Sequence, residues 1–229
     1  MNSPGYLLRL AEIVRDLQRK LPIDGHAALD DLVRSAAESV PGAQYASITI
    51  SHRDCLETPS ATSRHPKVLD EIQNRQAEGP CLSVAWEHHT IRIDDLESDT
   101  RWPRYRREAL SRTPIRSVLS FRLFANKQKA GAFNLYAEQP RAFDDESFEV
   151  GISFATHLAL AWGILQRDKE LRSALASRDV IGQAKGIVIE RFGIDDIAAF
   201  ELLKQISQES NTPLAEIAQS LVRTAYPPR

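Results

Sequence analysis

The stretch Asp179-Val-Ile-Gly-Gln-Ala-Lys-Gly-Ile-Val-Ile-Glu-Arg-Phe-Gly193 decides how this chain of 229 residues is read. Gly182 and Gly186 stand four apart inside an otherwise unbroken helical pattern. Each costs about 1 kcal/mol relative to Ala in a helix interior. A helix that keeps both uses that bare face for the close approach of a partner. Val180, Ala184, Ile187 and Val188 form one apolar stripe at helical spacing. Leu171, Leu175, Gly182 and Ile189 lie on the opposite side, with Arg178 and Lys185 beside them. Two non-polar faces call for two neighbours, the helix's own small domain and a second copy of the chain.

Working outward, Gly193 stops this helix, as a glycine just past a helix end does. Asp195 or Asp196 can cap the next, whose stripe is Ala199, Phe200, Leu203 and Ile206. Ser210, Asn211 and Thr212 form a turn, and Thr212 before Pro213 signals a helix start, with Thr212 as the cap. Leu214, Ile217, Ala218, Leu221 and Val222 stripe a third helix. The chain from 166 to 229 therefore reads as an all-α domain of three helices.

This region resembles the ANTAR family over about residues 170–225. The likeness rests on Ile181-Gly-Gln-Ala-Lys-Gly186, Ala199-Phe-Glu-Leu-Leu203, Ser207 with Asn211-Thr212, and Glu216-Ile-Ala218. It implies an RNA-binding output module that works as a dimer, grips paired RNA hairpins and prevents an overlapping terminator from forming. The RNA-binding residues it points to are Gln183, Lys185, Gly186, Ser207 and Asn211, with Arg178 and Arg191 as electrostatic support. From 166 to 229 nine Lys/Arg balance nine Asp/Glu, so any grip on phosphate must come from a local cluster. Pro213 and Ala215 also depart from the Lys or Arg of many relatives. Other readings stay open: Lys185 as a solvated surface charge, Asn211 as a turn residue, and Arg191 as a salt-bridge or snorkelled side chain.

The front of the chain reads as a larger α+β domain, residues 1–165. Leu7, Leu10, Val14 and Leu17 mark a helix over 6–21, and a second spans about 26–40. Ala46–Ser51 alternates as a strand, residues 67–77 read as helix, and Thr90–Ile93 is a short strand. Residues 117–124 and 130–136 alternate on either side of a turn at Asn126–Lys129. Asp144 then caps a long helix through Phe148, Ile152, Ala155, Leu158 and Ile164. The expected fold is a sensor domain with a central antiparallel sheet. It resembles the GAF family over about 26–165, and in particular the GAF type found ahead of ANTAR modules. The residues that carry this are Glu78-Gly-Pro-Cys-Leu82, Asp95-Leu with Asp99, Arg101-Trp-Pro103, Arg116-Ser-Val-Leu-Ser120 and Gly131–Ala137. It implies a small-molecule ligand in this domain, but the fold names neither ligand nor cofactor.

Asn126-Lys127 with Phe143-Asp-Asp-Glu146 faintly resembles a cyclic-nucleotide pattern, but the spacing after Phe143 is wrong. His52, His65, His88 and His89 fall at no metal-ligand spacing, so no metal residues are assigned. Cys81 reads as a small buried thiol, with a redox or bilin-attaching role as the rival. Arg101, Arg104, Arg106, Arg107, Arg112 and Arg116 could form an RNA patch, but the helix Pro103–Ser111 with solvated arginines is the favoured reading. No constellation supports catalysis, so no catalytic residues are assigned and the chain is expected not to be an enzyme.

The closing front helix can run without a break into the ANTAR-like helix. Positions 164, 168, 171, 175, 178, 182, 185 and 189 step by four and three, the spacing of a coiled-coil seam. Ile164, Leu171, Leu175, Gly182 and Ile189 are the expected homodimer seam. No apolar run is expected to approach the ~18 residues of a membrane span, and two cysteines fit a cytoplasmic protein. The leading expectation is a signal-responsive RNA-binding regulator of transcription antitermination. The alternatives are a ligand- or partner-binding sensor without RNA binding and, less well supported, a DNA-binding helix-turn-helix protein. The last needs a recognition helix after Leu221, for which the sequence leaves little room.

Overall fold

The computed structural model describes residues 15, 24–52, 55–86, 89–126 and 128–225. The expected helix over 6–21, Lys127 and His88 lie outside the described residues. By contacts the chain divides into two compact units, residues 1–165 and 166–229.

Unit 1 runs α1 (Gly25–Ser39), β1 (Tyr45–His52), β2 (Leu56–Ala61), α2 (Arg64–Gln76), α3 (Pro80–Trp86), β3 (Thr90–Ile93), α4 (Pro103–Arg112), β4 (Ser117–Ala125), β5 (Lys129–Ala137) and the start of α5 (Asp145–Phe192). The strands form one antiparallel sheet in the order β2-β1-β5-β4-β3. β2 and α3 are elements that sequence patterning does not announce. Pro59 sits in β2, which a sheet accepts only because β2 is an edge strand.

Alternation along the strands gives the sheet two unlike faces. Ala46, Ile48, Ile50, Leu119, Phe121, Phe133 and Leu135 face an apolar core shared with α1 and α5. Val33 and Ala36 of α1 and Phe154 and Leu158 of α5 are buried there. The opposite face carries Ser47, Thr49, Ser120 and Asn134 beside a second cluster of Leu69, Ile72, Ile93, Trp102, Tyr105 and Val118.

Helix ends follow local chemistry. Asp24 Oδ1 accepts from the Ala27 amide and caps α1. Asp144 and Ser147 cap α5 reciprocally: the Ser147 amide donates to Asp144 Oδ1 at 2.9 Å and the Asp144 amide to Ser147 Oγ at 3.1 Å. The hydrogen bonds from Ser147 hold the Asp144 carboxyl below its ordinary value.

Unit 2 comprises the end of α5, then α6 (Asp196–Ser210) and α7 (Leu214–Ala225). Its small core is Ala184, Val188, Ala199, Leu203 and Ala218. Gly193 adopts a φ of +65° and ends α5, and Asp195 Oδ1 caps α6 through the Ala198 amide. The start of α7 differs from expectation. Thr212 Oγ1 donates backward to the Ser210 carbonyl rather than accepting from the new helix, which begins at Leu214 after Pro213.

The expectation about apolar runs is corrected. α5 is 48 residues long and contains an 18-residue window of mean hydropathy 1.4 with at most two charged residues. Residues 150–166 carry no Asp, Glu, Lys or Arg. Part of that apolarity is core, since Val150, Phe154, Leu158 and Ala161 are buried in unit 1. Part is not: Ile152, Leu160 and Ile164 are exposed. By length and composition alone α5 could cross a membrane.

Candidate functional site

In unit 2 the bare face is real. A Cβ added at Gly182 or Gly186 would meet nothing within 4 Å. The packing of this chain therefore does not demand either glycine, although both weaken the helix. Gln183 is exposed, and it and Lys185 lie two residues apart, about 200° round the helix, on different sides. Lys185 is half-buried and its Nζ meets Asp196 Oδ1 of α6 at 2.5 Å. Arg178 and Arg191 are exposed and make no ion pair among the described residues. Arg178 and Lys185 flank the glycine face on one edge, whereas Arg191 lies at the end of the stripe that α6 and α7 cover.

Ser207 and Asn211 have structural duties. Ser207 Oγ donates to the Thr212 carbonyl at 2.5 Å, tying the end of α6 to the turn. Asn211 ends α6 with a φ of 50°, and its amide donates to the carbonyls of Gln208 and Ser207. Its side chain remains exposed. Phe192 and Ile197 are large exposed apolar side chains in the same unit that sequence reading did not single out, and Phe200 is exposed as well. Phe200 was read as core from its helical spacing, which cannot tell the edge of a stripe from its centre.

Apart from the exposed Arg107, the arginine run of unit 1 is spent on its own scaffold, with Arg106 donating to the carbonyls of Glu97 and Asp99. Arg101 lies over the Trp102 ring at 4.5 Å and pairs with Asp99, Arg104 pairs with Glu78, and Arg112 reaches Glu71 and Glu108. Arg116 forks onto Asp95, with Nε to Oδ1 and Nη2 to Oδ2 both at 2.9 Å. That pairing holds the Asp95 carboxyl below its ordinary value. With these guanidiniums engaged, the run is a poor phosphate surface.

What sequence reading missed is the buried polar layer on the second face of the sheet. Asp70 of α2 accepts from Thr49 Oγ1 at 2.7 Å, Thr58 Oγ1 at 2.8 Å and Gln73 Nε2 at 2.9 Å. Burial pushes its carboxyl up to about 6, although these donors pull the other way. Gln73 Oε1 in turn accepts from the Cys81 amide at 2.8 Å. The Cys81 thiol lies 4.0 Å from the Tyr136 hydroxyl, which is 3.3 Å from Ser47 Oγ. Asn134 Nδ2 donates to Thr49 Oγ1 at 2.9 Å. Burial raises the Cys81 thiol and the Tyr105 and Tyr136 phenols, so all three stay neutral. The only available signal was the alternation Ser47–Thr49–Ser51, a pattern that a strand with one solvated face shows equally.

Residues 24–162 match the GAF domain family, and residues 169–222 match the ANTAR domain. Comparison with curated proteins returns no match. Among solved structures, the chain resembles the GAF domain of an Acinetobacter phosphoenolpyruvate-protein phosphotransferase, with a TM-score of 0.57 at 14% identity over 72% of this chain and 97% of that one. The corresponding domain from Coxiella burnetii gives 0.52 at 15% identity over 71% and 98%. Free methionine-R-sulfoxide reductase from Neisseria meningitidis gives 0.50 at 14% identity over 73% and 96%. At these identities the likeness concerns the fold alone. A sensor domain joined to an RNA-binding regulatory domain makes a regulatory protein of the general signal-transduction kind.

Proposed function

From a chain that belongs to the GAF family and carries an ANTAR domain behind it, we propose a cytoplasmic, non-enzymatic regulator that binds RNA hairpins in response to a signal and acts in transcription antitermination. Unit 1 takes the input and unit 2 grips RNA. The observation that carries this reading is the open glycine face of α5, where Gly186 with Lys185 and Arg178 is left for RNA beside the seam position Gly182. Bare helix backbone lets a partner approach closely; Arg178 on its edge is in no ion pair among the described residues, and Lys185 exchanges its pair with Asp196 for phosphate on binding. Gln183 and the Asn211 side chain supply hydrogen bonds for splayed loop bases. Ser207 sets the turn that presents Asn211, and Arg191 adds positive charge at the far end.

The working unit is a homodimer through residues 150–190. Along α5 the large apolar residues Leu160, Ile164, Leu171 and Leu175 are 62%, 53%, 60% and 52% exposed. They recur at steps of four and seven on one side of the helix. Leu160, with Ile152, extends the seam beyond the positions read from sequence, Ile164, Leu171, Leu175, Gly182 and Ile189. This stripe also offers a reason for the apolar content of α5 that needs no membrane. A seam with few strong residues makes a weak pair, which a ligand or a redox change in unit 1 can shift by a few kcal/mol.

The test is a titration of the full chain against an RNA of two hairpins with accessible loops, repeated across a salt series. Lys185→Ala should weaken binding several-fold and reduce the salt slope by about 1. Leu171→Glu with Leu175→Glu should give monomers by light scattering that bind the paired hairpins poorly. Equal binding by wild type and Lys185→Ala overturns the RNA assignment. A double variant that stays dimeric overturns the seam. One observation favours a second reading, a sensor module that binds a protein partner: the balance of nine Lys/Arg against nine Asp/Glu in residues 166–229. Binding insensitive to salt would select it.

A further inference from the structure

A cleft of about 440 Å³ opens at the β3 edge of the sheet, between β4 and the part of α5 that belongs to unit 1. It lies on the apolar side, away from the polar layer of Asp70 and Asn134, since Phe121 and Leu123 of its wall pack with the α1/α5 core. Two local features make it. The pairing of β3 with β4 ends at Thr90 and Phe121, with a last bond from the Arg122 amide to the His89 carbonyl at 2.9 Å. Ala155 and Ala159, one turn apart on α5, are too small to fill the space beneath that strand end. Ile152 and Leu160 complete the apolar wall and stay exposed. A concave site of roughly 300–1,000 Å³ with apolar walls and few polar groups suits a small molecule.

The charge of the cleft decides what can fill it. Arg122 is half-buried there, with Nη2 at 2.5 Å from Nδ1 and 3.1 Å from Nε2 of the His89 ring. An imidazole steadies a guanidinium but offers it no negative charge. Arg122 makes no ion pair among the described residues, unlike Arg92, Arg101, Arg104, Arg112 and Arg116 of the same unit. Its Nε and Nη1 make no hydrogen bond among the described residues either. None of the ten described residues that line the cleft is Asp or Glu. A guanidinium with a free edge takes a carboxylate through two parallel N–H···O bonds. Phosphate carries more charge than this one cation balances and gains nothing from apolar walls.

We propose that this cleft binds a small organic carboxylate with a compact apolar body, its carboxylate forked onto Arg122 and its body laid on Ala155 and Ala159 against Phe121. As an input to α5 this rests on the sensor reading of unit 1, but not on RNA binding by unit 2. Ile152 and Leu160 also stand on the seam assigned above. A molecule seated here therefore touches the surface on which the pairing of two chains depends.

The experiment titrates the full chain with benzoate, with benzamide as its neutral match and acetate as the carboxylate without a body. The readout is the backbone amide signals of Leu123 and Ala159 by NMR. Benzoate should shift both, and benzamide and acetate should bind about tenfold more weakly or worse, for want of the charged bonds or the apolar contact. Arg122→Met should weaken benzoate by about tenfold or more. Ala159→Leu fills the cleft, leaves Arg122 in place and should abolish the Leu123 shift. Both substitutions lie outside the buried core, so each variant should keep the thermal midpoint of the wild type. The inference is overturned if benzamide matches benzoate, if Ala159→Leu binds as wild type does, or if benzoate moves Asn134 and Tyr105 instead. It is overturned too if no probe binds; a changed oligomeric state of Arg122→Met by light scattering would then name a second copy as the occupant. Because the readout lies in unit 1, a failed RNA titration leaves this result standing, and the converse holds too.

Discussion

The two faces of the five-stranded sheet are made from the same strands and are equally hidden from water, yet they are filled on opposite principles. On the α1/α5 face the buried cluster is apolar, with large side chains such as Phe133 and Phe154 at its centre and the Phe121 and Phe133 rings stacked. On the other face Ser47, Thr49, Asp70, Gln73 and Asn134 form a hydrogen-bonded layer in which some groups go unpaired. The first face is built for stability. The second gives up stability, which is expected where a structure keeps a place for something else.

Substitutions can break this contrast in order of size. Phe133→Ala on the apolar face should cost about 3–5 kcal/mol, because it opens a cavity in a closed core. Denaturant titration read by tryptophan fluorescence reports this cleanly, since Trp86, Trp102 and Trp162 all belong to unit 1. A loss below 1 kcal/mol would mean that this face is not the stabilising one.

The next effect is that of pH on Asp70. Its carboxyl is raised from an ordinary 3.8 to about 6 in the folded protein. The fold therefore prefers the protonated acid. That contribution is complete below the unfolded value and is lost as pH rises through the folded one, a change of about 3 kcal/mol. Asp70→Asn should remove this dependence between about pH 4 and pH 7 and be the more stable protein at neutral pH. Parallel stability curves for the two proteins would refute the assignment. The smallest effect belongs to Ser120→Ala, which deletes a buried hydroxyl with no partner and should raise stability by about 1 kcal/mol. A loss above 1 kcal/mol would show that Ser120 is satisfied after all.

The same contrast explains what could be read from the sequence. The antiparallel sheet, the long closing helix and the three helices of unit 2 follow from local rules: alternation at Ser117–Phe124, a cap at Asp144, a glycine stop at Gly193. The apolar face was legible because Ile48, Phe133 and Leu135 declare burial by themselves. The polar face was not. Asp70 and Gln73 stand on a helix where charged and amide residues ordinarily meet water. Only the long-range approach of Thr49 and Thr58 makes them interior. β2 escaped notice because Pro59 argues against a strand until its edge position is known. In unit 2, the motif positions Gln183, Lys185 and Gly186 were visible, but the ion pair of Lys185 with Asp196 was not, since it depends on how α6 returns against α5.

The pairing of the strands has a consequence for how such a chain can vary. The sheet contains irregularities between Ile48 and Ile50 against β2 and between Arg122 and Phe124 against β5. Both spare the row that aligns Ser47, Asn134, Ser120 and Ile91. Extra residues are thus accommodated at the sheet's margins. A single residue inserted near Asn134 in β5 would act on the sheet as a frameshift acts on a gene. Phe133 and Leu135 would turn into the hydrogen-bonded layer, and Asn134 and Tyr136 into the oil. Tolerance to insertion should therefore be measured strand by strand, with β5 and β1, whose mutual register runs without a shift, as the strands whose length cannot drift.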